Sequence, residues 1–267
     1  MPKRNIDGAS IYYETAGSGE PLVLVPGFAS GLWSWKYQFA DFAKYFRVIA
    51  FDPRGVGSSQ MEDGAPNSID RIAKDVAALL DELEIEKANV LGTSFGGFVT
   101  QKFALMHPER TLKVVLACTS FGGPKHVLPS MEMLAAFAAT RGLNSKERIK
   151  QYLTMAFSPD FVRDAPEIVD GFCRLREQNN VPENVYLDQL TSATTFNVSD
   201  DISAIKCKTL VLTGDSDTVV PMQNSLNLAA AVPNAVLDVV VGGSHMFFVE
   251  QPDRFNTIIT AFLKNDQ

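Results

Sequence analysis

The chain has 267 residues, of which 46% are hydrophobic and 21% charged, so it can bury a large core as one α/β domain with an insertion. A net charge of −7 and a pI near 5.0 argue against nucleic-acid or anionic-membrane partners, because both attract a concentrated basic surface. The first residues lack the apolar segment of a secretory signal, and no apolar run reaches membrane-spanning length, so we expect a cytoplasmic protein.

The N-terminal half opens with a hairpin and then alternates strands with helices. Asp7-Gly8 supplies a tight turn between strand-forming residues over 5–14, so the sheet opens antiparallel. The alternation that follows predicts a parallel sheet, and Asn67 or Ser68 is a candidate cap for the second helix. The elements predicted here are strand 21–25, helix 33–45, strand 47–51, helix 69–83, strand 88–91 and strand 112–117.

Residues 121–200 interrupt this alternation with a mostly helical pattern that is rich in Phe and Met. The alternation resumes with strand 209–213, helix 224–231, strand 236–241 and helix 254–263. An insertion between two sheet strands explains this pattern better than a separate C-terminal domain. We therefore predict a core of residues 1–120 and 201–267 and a helical cap, or lid, of residues 121–200.

A Gly-x-Ser-x-Gly run lies between an apolar strand and a helix-like segment, within residues 90–97. A strand that enters a helix with almost no loop must turn sharply, and Gly92 and Gly96 let neighbouring chain pass close to that turn. Such a turn presents the central hydroxyl outward. The spacing alone is a weak signal, but in this context it predicts that Ser94 is a nucleophile.

A nucleophilic serine needs a histidine base, and the base needs a carboxylate to orient it. His245 follows a strand through a glycine-rich loop, at the strand end where open α/β sheets place their ligands, so we predict that it is the base. His107 ends a helix, where the helix dipole explains it. His126 lies in the loop entering the cap, where we expect a solvent-facing residue, with contact to the substrate from the lid hinge as the alternative.

The carboxylate has two candidates in the Gly-Asp-Ser-Asp sequence that ends strand 209–213, Asp215 and Asp217. Either of them can instead cap the turn through its side chain. No carboxylate follows strand 112–117 before Lys125, so that alternative position for the acid is empty. The three cysteines lack metal-ligand spacing and are interpreted as small core residues, and we predict no metal site.

The same motif order predicts two backbone donors for a tetrahedral intermediate. They are the N–H of Phe95, directly after the serine, and the N–H of Phe28, in the loop after strand 21–25. The aromatic and methionine content near the cap predicts an apolar, adaptable substrate pocket. We expect its lining to include Trp33, Met131, Phe137, Phe157 and Met246.

With these motifs the chain resembles the α/β-hydrolase family, in particular the lidded esterases and the hydrolases of the 3-oxoadipate enol-lactonase type. The resemblance runs from residue 11 to the last helix and rests on residues 26–28, 52–59, 92–97, 210–221 and 243–245. It implies a mostly parallel eight-stranded sheet flanked by helices, an inserted helical lid and no cofactor. In this family the acid usually stands three residues after the strand-ending glycine, which selects Asp217, and the charged run 52–59 is a structural turn.

The chain departs from the family pattern in two ways. Family members often have a histidine where Pro26 stands, so side-chain hydrogen bonds that support the oxyanion loop are in question here. Carbon–carbon bond hydrolases of this fold commonly carry an asparagine before the nucleophile and a tryptophan after the histidine. Thr93 and Met246 occupy those places, which lowers the rank of that class, and Ser94 excludes mechanisms that need an aspartate nucleophile.

The residues and the resemblance together predict a cofactor-independent serine hydrolase that cleaves a small-molecule carboxylic ester or lactone. Two alternatives stay open. A haloperoxidase-like perhydrolase would use the same three residues and let peroxide intercept the acyl-enzyme. A hydrolase-fold receptor would bind a small molecule in the same pocket with negligible turnover.

Overall fold

A central sheet with helices on both faces forms the body of the protein, and the computed structural model describes residues 2–62, 64, 67–140, 143, 145–179 and 181–265. The strands are β1 (Lys3–Ile6), β2 (Ala9–Ala16), β3 (Pro21–Val25), β4 (Arg47–Phe51), β5 (Gln60–Met61), β6 (Ala88–Thr93), β7 (Thr111–Ala117), β8 (Lys208–Gly214) and β9 (Ala235–Val240). The α-helices are α1 (Phe39–Phe42), α2 (Ile69–Glu82), α3 (Phe95–Met106), α4 (Met131–Ala139), α5 (Ser145–Ala156), α6 (Pro159–Asp164), α7 (Pro166–Gln178), α8 (Glu183–Thr194), α9 (Gln223–Ala231), α10 (Phe247–Glu250) and α11 (Pro252–Lys264).

The sheet has the strand order β1-β2-β4-β3-β6-β7-β8-β9. The first hairpin and the β2–β4 pair are antiparallel, and every pair from β4 through β9 is parallel. The predicted eight-stranded, mostly parallel sheet is confirmed, and the two-residue β5 adds a short pairing with β2 that was not predicted. Within the described residues, no helix is both long and apolar enough to cross a bilayer.

The predicted helix over 33–45 is wrong, because this segment forms a 3-10 turn at Leu32–Trp35 and then only the single-turn α1. Its aromatic side chains face different neighbours. The Trp35 ring lies 5.9 Å from that of Phe248, and the Tyr37 ring lies 6.1 Å from that of Phe172. Packing of these large side chains therefore decides the backbone here, in a segment with little helix propensity of its own.

Between β7 and β8 the chain forms helices α4 to α8. Residues 121–200, which contain these helices, are called the inserted segment below. Its two ends meet at the sheet. Gly122 and Asn197 form an isolated antiparallel bridge, and the N–H of Val198 donates to the carbonyl of Phe121 at 3.0 Å. The inserted segment therefore leaves and rejoins the core at adjacent points.

The charged run after β4 is a structural turn. The Asp52 carboxylate accepts hydrogen bonds from the N–H groups of Leu32 and Ser58, each at 2.8 Å. The Arg54 guanidinium donates two hydrogen bonds to the Asp75 carboxylate of α2, at 2.7 and 2.6 Å, and both side chains are almost completely buried. These charged side chains bond groups inside the fold, and the run is separate in sequence from the serine turn. A structural turn is also what the resemblance to the family implies for this run.

Replacing Asp75 with alanine is expected to lower the free energy of unfolding by about 3–5 kcal/mol, because it leaves a buried guanidinium without its carboxylate. Urea unfolding followed by circular dichroism measures the change. Asp70→Ala, on the same helix, is the matched control, because its pair with Lys102 is half-exposed and should contribute about 1 kcal/mol or less. Equal losses in the two variants would contradict this account of the buried pair.

Candidate active site

Ser94 stands on the sharp turn between β6 and α3, with φ 53° and ψ −117°. This backbone conformation is strained for any residue other than glycine, so the surrounding contacts must hold it. The Ser94 N–H donates to the carbonyl of Ala117 at 2.8 Å, and its carbonyl accepts from the N–H of Gly97 at 2.9 Å. The side chain is half-exposed, as a serine presented at the sheet edge requires.

The two motif glycines allow the close approach that the sequence predicts. A methyl group on Gly96 would lie 2.2 Å from the carbonyl oxygen of Val25, and one on Gly92 would lie 2.2 Å from that of Gly96. Both obstacles are backbone atoms, which cannot rotate away. The start of α3 therefore rests directly on the end of β3, which brings the loop after β3 next to the serine.

Gly96→Ala is expected to destabilise the protein by about 1–3 kcal/mol, because the added methyl must push the β3 backbone away from the turn. Gly171→Ala in α7 is the matched control, since a methyl there meets no atom closer than 3.9 Å and alanine favours a helix interior by about 0.5–1 kcal/mol. Thermal unfolding of both variants should give shifts of opposite sign. A stabilised Gly96→Ala variant would contradict the close approach.

The structure joins His245 to Asp217. The His245 Nδ1 atom lies 2.8 Å from Asp217 Oδ2, and both residues are buried. The other carboxylate oxygen accepts from the N–H groups of Val219 and Val220 at 2.9 and 2.8 Å. These bonds fix the carboxylate, which in turn holds the imidazole by Nδ1 and leaves Nε2 for other chemistry.

The neighbouring Asp215 has a structural role, as the sequence allows for either aspartate of this turn. It is exposed, and its carboxylate accepts from the N–H of Gly242 at 2.7 Å, which ties the loop after β8 to the loop after β9. The N–H of Ser216 adds a second tie by donating to the carbonyl of Gly243 at 3.0 Å. Asp215 thus braces the two loops, and the geometry agrees with the choice of Asp217 as the partner of the histidine.

Cys118, at the end of β7, is a neighbour of this pair that the sequence did not single out. Its thiol, the Asp217 carboxylate and a His245 ring nitrogen lie within 4.8 Å of one another, and the thiol also faces the N–H of Ser94. Burial and the negative charge of Asp217 raise the pKa of the thiol well above its usual value. A neutral thiol is a poor metal ligand, and the facing Asp217 and His245 atoms already bond each other. The cluster therefore fits an acid–base site better than a metal site.

The predicted oxyanion donors lie beside the serine turn. A methyl group on Gly27 would lie 3.8 Å from the Ser94 Cβ, and the ring centroids of Phe28 and Phe95 are 6.2 Å apart. In the described part of the chain, neither the Phe28 N–H nor the Phe95 N–H donates to a protein acceptor. Two backbone N–H groups, one in the loop after β3 and one at the start of α3, are thus available to a ligand.

The predicted pocket residues other than Met131 fall into two groups. The rings of Trp33 and Phe157 both contact that of Phe172, at centroid distances of 6.0 and 6.3 Å. Met246 lies beside them, because its N–H donates to the carbonyl of Ala156, the residue before Phe157, at 3.1 Å. Phe137 lies 5.5 Å from Tyr152, further out in the inserted segment.

Met131 does not belong with them. It is 80% exposed at the start of α4, a helix in which no residue is buried, so its side chain faces solvent. The expectation for His126 also needs correction, because its ring is half-buried and bonds the Ser120 hydroxyl at 2.9 Å. His107 ends α3 as predicted, with its ring 5.5 Å from that of Phe103.

The sheet order and the serine turn are those of one large class of hydrolases. The sequence profile of the α/β hydrolase fold matches residues 20–252, and the chain belongs to this family. The resemblance proposed from the sequence is confirmed. The three positions discussed above, Ser94, Asp217 and His245, follow β6, β8 and β9 at the carboxyl edge of the sheet, where this type of fold places its ligands.

Individual relatives are hydrolases with different substrates. The chain is 30% identical over 266 residues to 2-hydroxy-6-oxononadienedioate/2-hydroxy-6-oxononatrienedioate hydrolase of Burkholderia vietnamiensis, with 95% of this chain and 91% of the relative covered. It is 29% identical over 257 residues to 3-oxoadipate enol-lactonase 2 of Acinetobacter baylyi, with 96% and 93% covered. Among solved structures, Est816, an N-acyl homoserine lactone degrading enzyme, is 28% identical at a TM-score of 0.83, with 98% and 100% covered.

Proposed function

We propose that the protein is a serine hydrolase that cleaves a carboxylic ester or lactone through an acyl-enzyme. The observation that carries this proposal is the 2.8 Å bond between His245 and Asp217, at the same sheet edge as the strained Ser94 turn. A histidine held by Nδ1 presents Nε2 as a base, and a serine on such a turn presents its hydroxyl.

In the proposed reaction, Ser94 Oγ attacks the carbonyl carbon while His245 Nε2 takes the hydroxyl proton. The carbonyl π electrons move to oxygen, where the N–H groups of Phe28 and Phe95 bind the negative charge. Collapse of the tetrahedral intermediate expels the alkoxide, which takes the proton from His245. Water then attacks the acyl-enzyme by the same steps and frees Ser94, while Asp217 stabilises the imidazolium in each half-reaction.

The residues flanking the proposed triad favour ester or lactone substrates over carbon–carbon bonds. Thr93 and Met246 stand where carbon–carbon bond hydrolases of this fold commonly have asparagine and tryptophan, although several relatives carry names of that class. The likeness to an enol-lactonase and to a lactone-degrading enzyme points in the same direction. We further propose that the inserted segment, residues 121–200, is a cap that closes over the core of residues 1–120 and 201–267.

Initial rates on p-nitrophenyl esters from acetate to decanoate, beside γ- and δ-lactones and a dienoate carbon–carbon substrate, test this proposal. The expected result is turnover of esters and lactones. We also expect an alkyl p-nitrophenyl phosphonate to phosphonylate Ser94 with loss of p-nitrophenol, and mass spectrometry should find the phosphonyl group on the Ser94 peptide. Turnover of the dienoate alone would overturn the substrate class. Binding of these esters without any turnover would instead favour a receptor, and peroxide-dependent halogenation in acetate would favour a perhydrolase.

A further inference from the structure

The peptide unit that joins Phe28 to Ala29 is held at both ends by side chains of the inserted segment. The Ala29 N–H donates to Gln189 Oε1 of α8 at 2.8 Å. The Phe28 carbonyl, at the other end of the same unit, accepts from Arg176 Nη1 of α7 at 3.3 Å. Side chains from two helices, each more than 140 residues away in sequence, therefore hydrogen-bond to one peptide of the loop after β3.

This loop needs such support because its backbone is strained. The Ser30 N–H donates to the Gly27 carbonyl at 3.2 Å, which closes a turn with Phe28 and Ala29 at its centre. Ala29 has φ 46°, a left-handed conformation that costs about 1–2 kcal/mol for a residue with a side chain. Rotation of the central peptide would return Ala29 to a negative φ, as in a type I turn. The two bonds from the inserted segment oppose that rotation.

The loop's own support comes from Ser30, whose hydroxyl donates to the Phe28 carbonyl at 3.2 Å beside the bond from its N–H to Gly27. Pro26 adds none, because it has neither an N–H nor a polar side chain. Gln189 is only 1% exposed, so its hydrogen bond with Ala29 is shielded from competing water. Removal of the Gln189 amide would leave a buried N–H without a partner, which strongly favours rearrangement of the loop.

The surroundings of Arg176 show that it is placed for this contact and not for an ion pair. Its Nη1 atom also lies 3.4 Å from the Ser30 hydroxyl, and among the described residues no carboxylate pairs with it. The nearby Glu183 pairs with Arg148 instead, at 3.3 Å. Burial lowers the pKa of Arg176 to about 10, so the side chain is still a cation at neutral pH and a strong donor to the Phe28 carbonyl.

We infer that Gln189 and Arg176 are positioning residues: by fixing the Phe28–Ala29 peptide they fix the backbone of Phe28, and with it the preceding peptide, whose Phe28 N–H faces the oxyanion. This inference rests on the proposed function, because it gives these two residues a role in the same acyl-transfer step. If these two residues position the loop, the rate of the chemical step depends on the position of the inserted segment. This dependence does not require the inserted segment to contact the substrate.

The first test compares Gln189→Met, which keeps the side-chain length but has no acceptor, with Gln189→Glu, which keeps one. For p-nitrophenyl acetate we expect Gln189→Met to lower kcat by about 10- to 100-fold with KM within about threefold, since a misplaced catalytic group costs up to about 100-fold. Gln189→Glu should restore most of kcat. Gln178→Met, the same substitution at an exposed position of α7, is the control and should match the parent.

The second test measures inhibition by an alkyl trifluoromethyl ketone, in which Ser94 Oγ adds to the carbonyl and leaves an oxyanion in the same hole. Its inhibition constant should rise in Gln189→Met and Arg176→Met by about the factor lost in kcat/KM, and Arg176→Lys should recover part of it, because lysine keeps one donor. Arg174→Met, exposed on the same helix, is the control for the arginine variants.

The outcomes separate this inference from the proposed function. A parent protein without Ser94-dependent turnover would overturn the proposed function before any variant is compared. With an active parent, a folded Gln189→Met that keeps kcat and the inhibition constant within twofold would overturn the positioning role. A loss confined to KM, or to thermal stability, would overturn it as well. If Gln189→Met does not fold, the Arg176→Met and Arg176→Lys pair decides the question at the other end of the same peptide.

Discussion

Ser94→Ala is expected to lower kcat for ester hydrolysis by about 10⁴- to 10⁶-fold, because it removes the hydroxyl that forms the acyl-enzyme in the proposed mechanism. The small residual rate would come from water attacking a carbonyl that is still held by the two backbone donors. Alanine keeps the same backbone preferences as serine, so the turn and the fold should persist. Steady-state rates on p-nitrophenyl acetate, normalised by active-site titration of the parent, measure the loss. Activity within tenfold of the parent would remove Ser94 from the mechanism.

Ser94→Gly gives the companion measurement on stability. Both variants lack the nucleophile, but only glycine adopts φ 53° without strain. We therefore expect the free energy of unfolding of Ser94→Gly to be about 1 kcal/mol larger than that of Ser94→Ala. Urea unfolding of the two inactive proteins makes the comparison free of substrate effects. A glycine variant less stable than the alanine variant would mean that the turn stores no strain.

Asp217→Asn is expected to lower kcat by about 10⁴-fold at neutral pH while the protein stays folded. The asparagine oxygen can still accept from the N–H groups of Val219 and Val220, so its amide NH₂ replaces the oxygen that faces His245 Nδ1. An NH₂ group cannot accept a hydrogen bond from an Nδ1–H group and instead donates one to a bare Nδ1. The imidazole must then carry its proton on Nε2, where it cannot act as the base for Ser94.

Asp215→Asn is the matched control for this substitution, two residues away in the same loop. Its side chain braces the loop after β9 and does not contact the histidine, so kcat should stay within about threefold of the parent. The pH dependence of kcat/KM for both variants completes the experiment. Equal losses at the two positions would contradict the assignment of Asp217.

Local sequence was enough to predict the sheet and the residues at its edge, because these depend on short-range patterns. The Gly-x-Ser-x-Gly turn, the Asp7-Gly8 hairpin and the Ser68 cap, whose hydroxyl accepts from the Arg71 N–H at 3.2 Å, all involve residues close in sequence. The choice between Asp215 and Asp217 needed family knowledge, since both aspartates suit a turn. Their different partners become visible only when the loops after β8 and β9 meet.

The contacts that sequence could not reveal are those between the inserted segment and the core. Gln189 and Arg176 have no motif around them, and their partner lies 160 and 148 residues away. The exposure of Met131 was equally hidden, because the apolar composition of α4 suggests burial that the packing does not provide. The broken helix over 33–45 follows the same rule, since its aromatic rings pack against Phe248 of α10 and against Phe172 of the inserted segment.

The bridge between Gly122 and Asn197 makes the inserted segment an exchangeable unit. A chain that departs and returns at one point can be replaced by another helical stretch of different length without shifting the register of the sheet, and loop closure adds little entropy cost as length grows. Such a graft would change the walls of the proposed substrate pocket. It would also have to bring an acceptor for the Ala29 N–H and a donor for the Phe28 carbonyl, so grafts designed on pocket shape alone should fold and bind substrate, yet turn it over slowly.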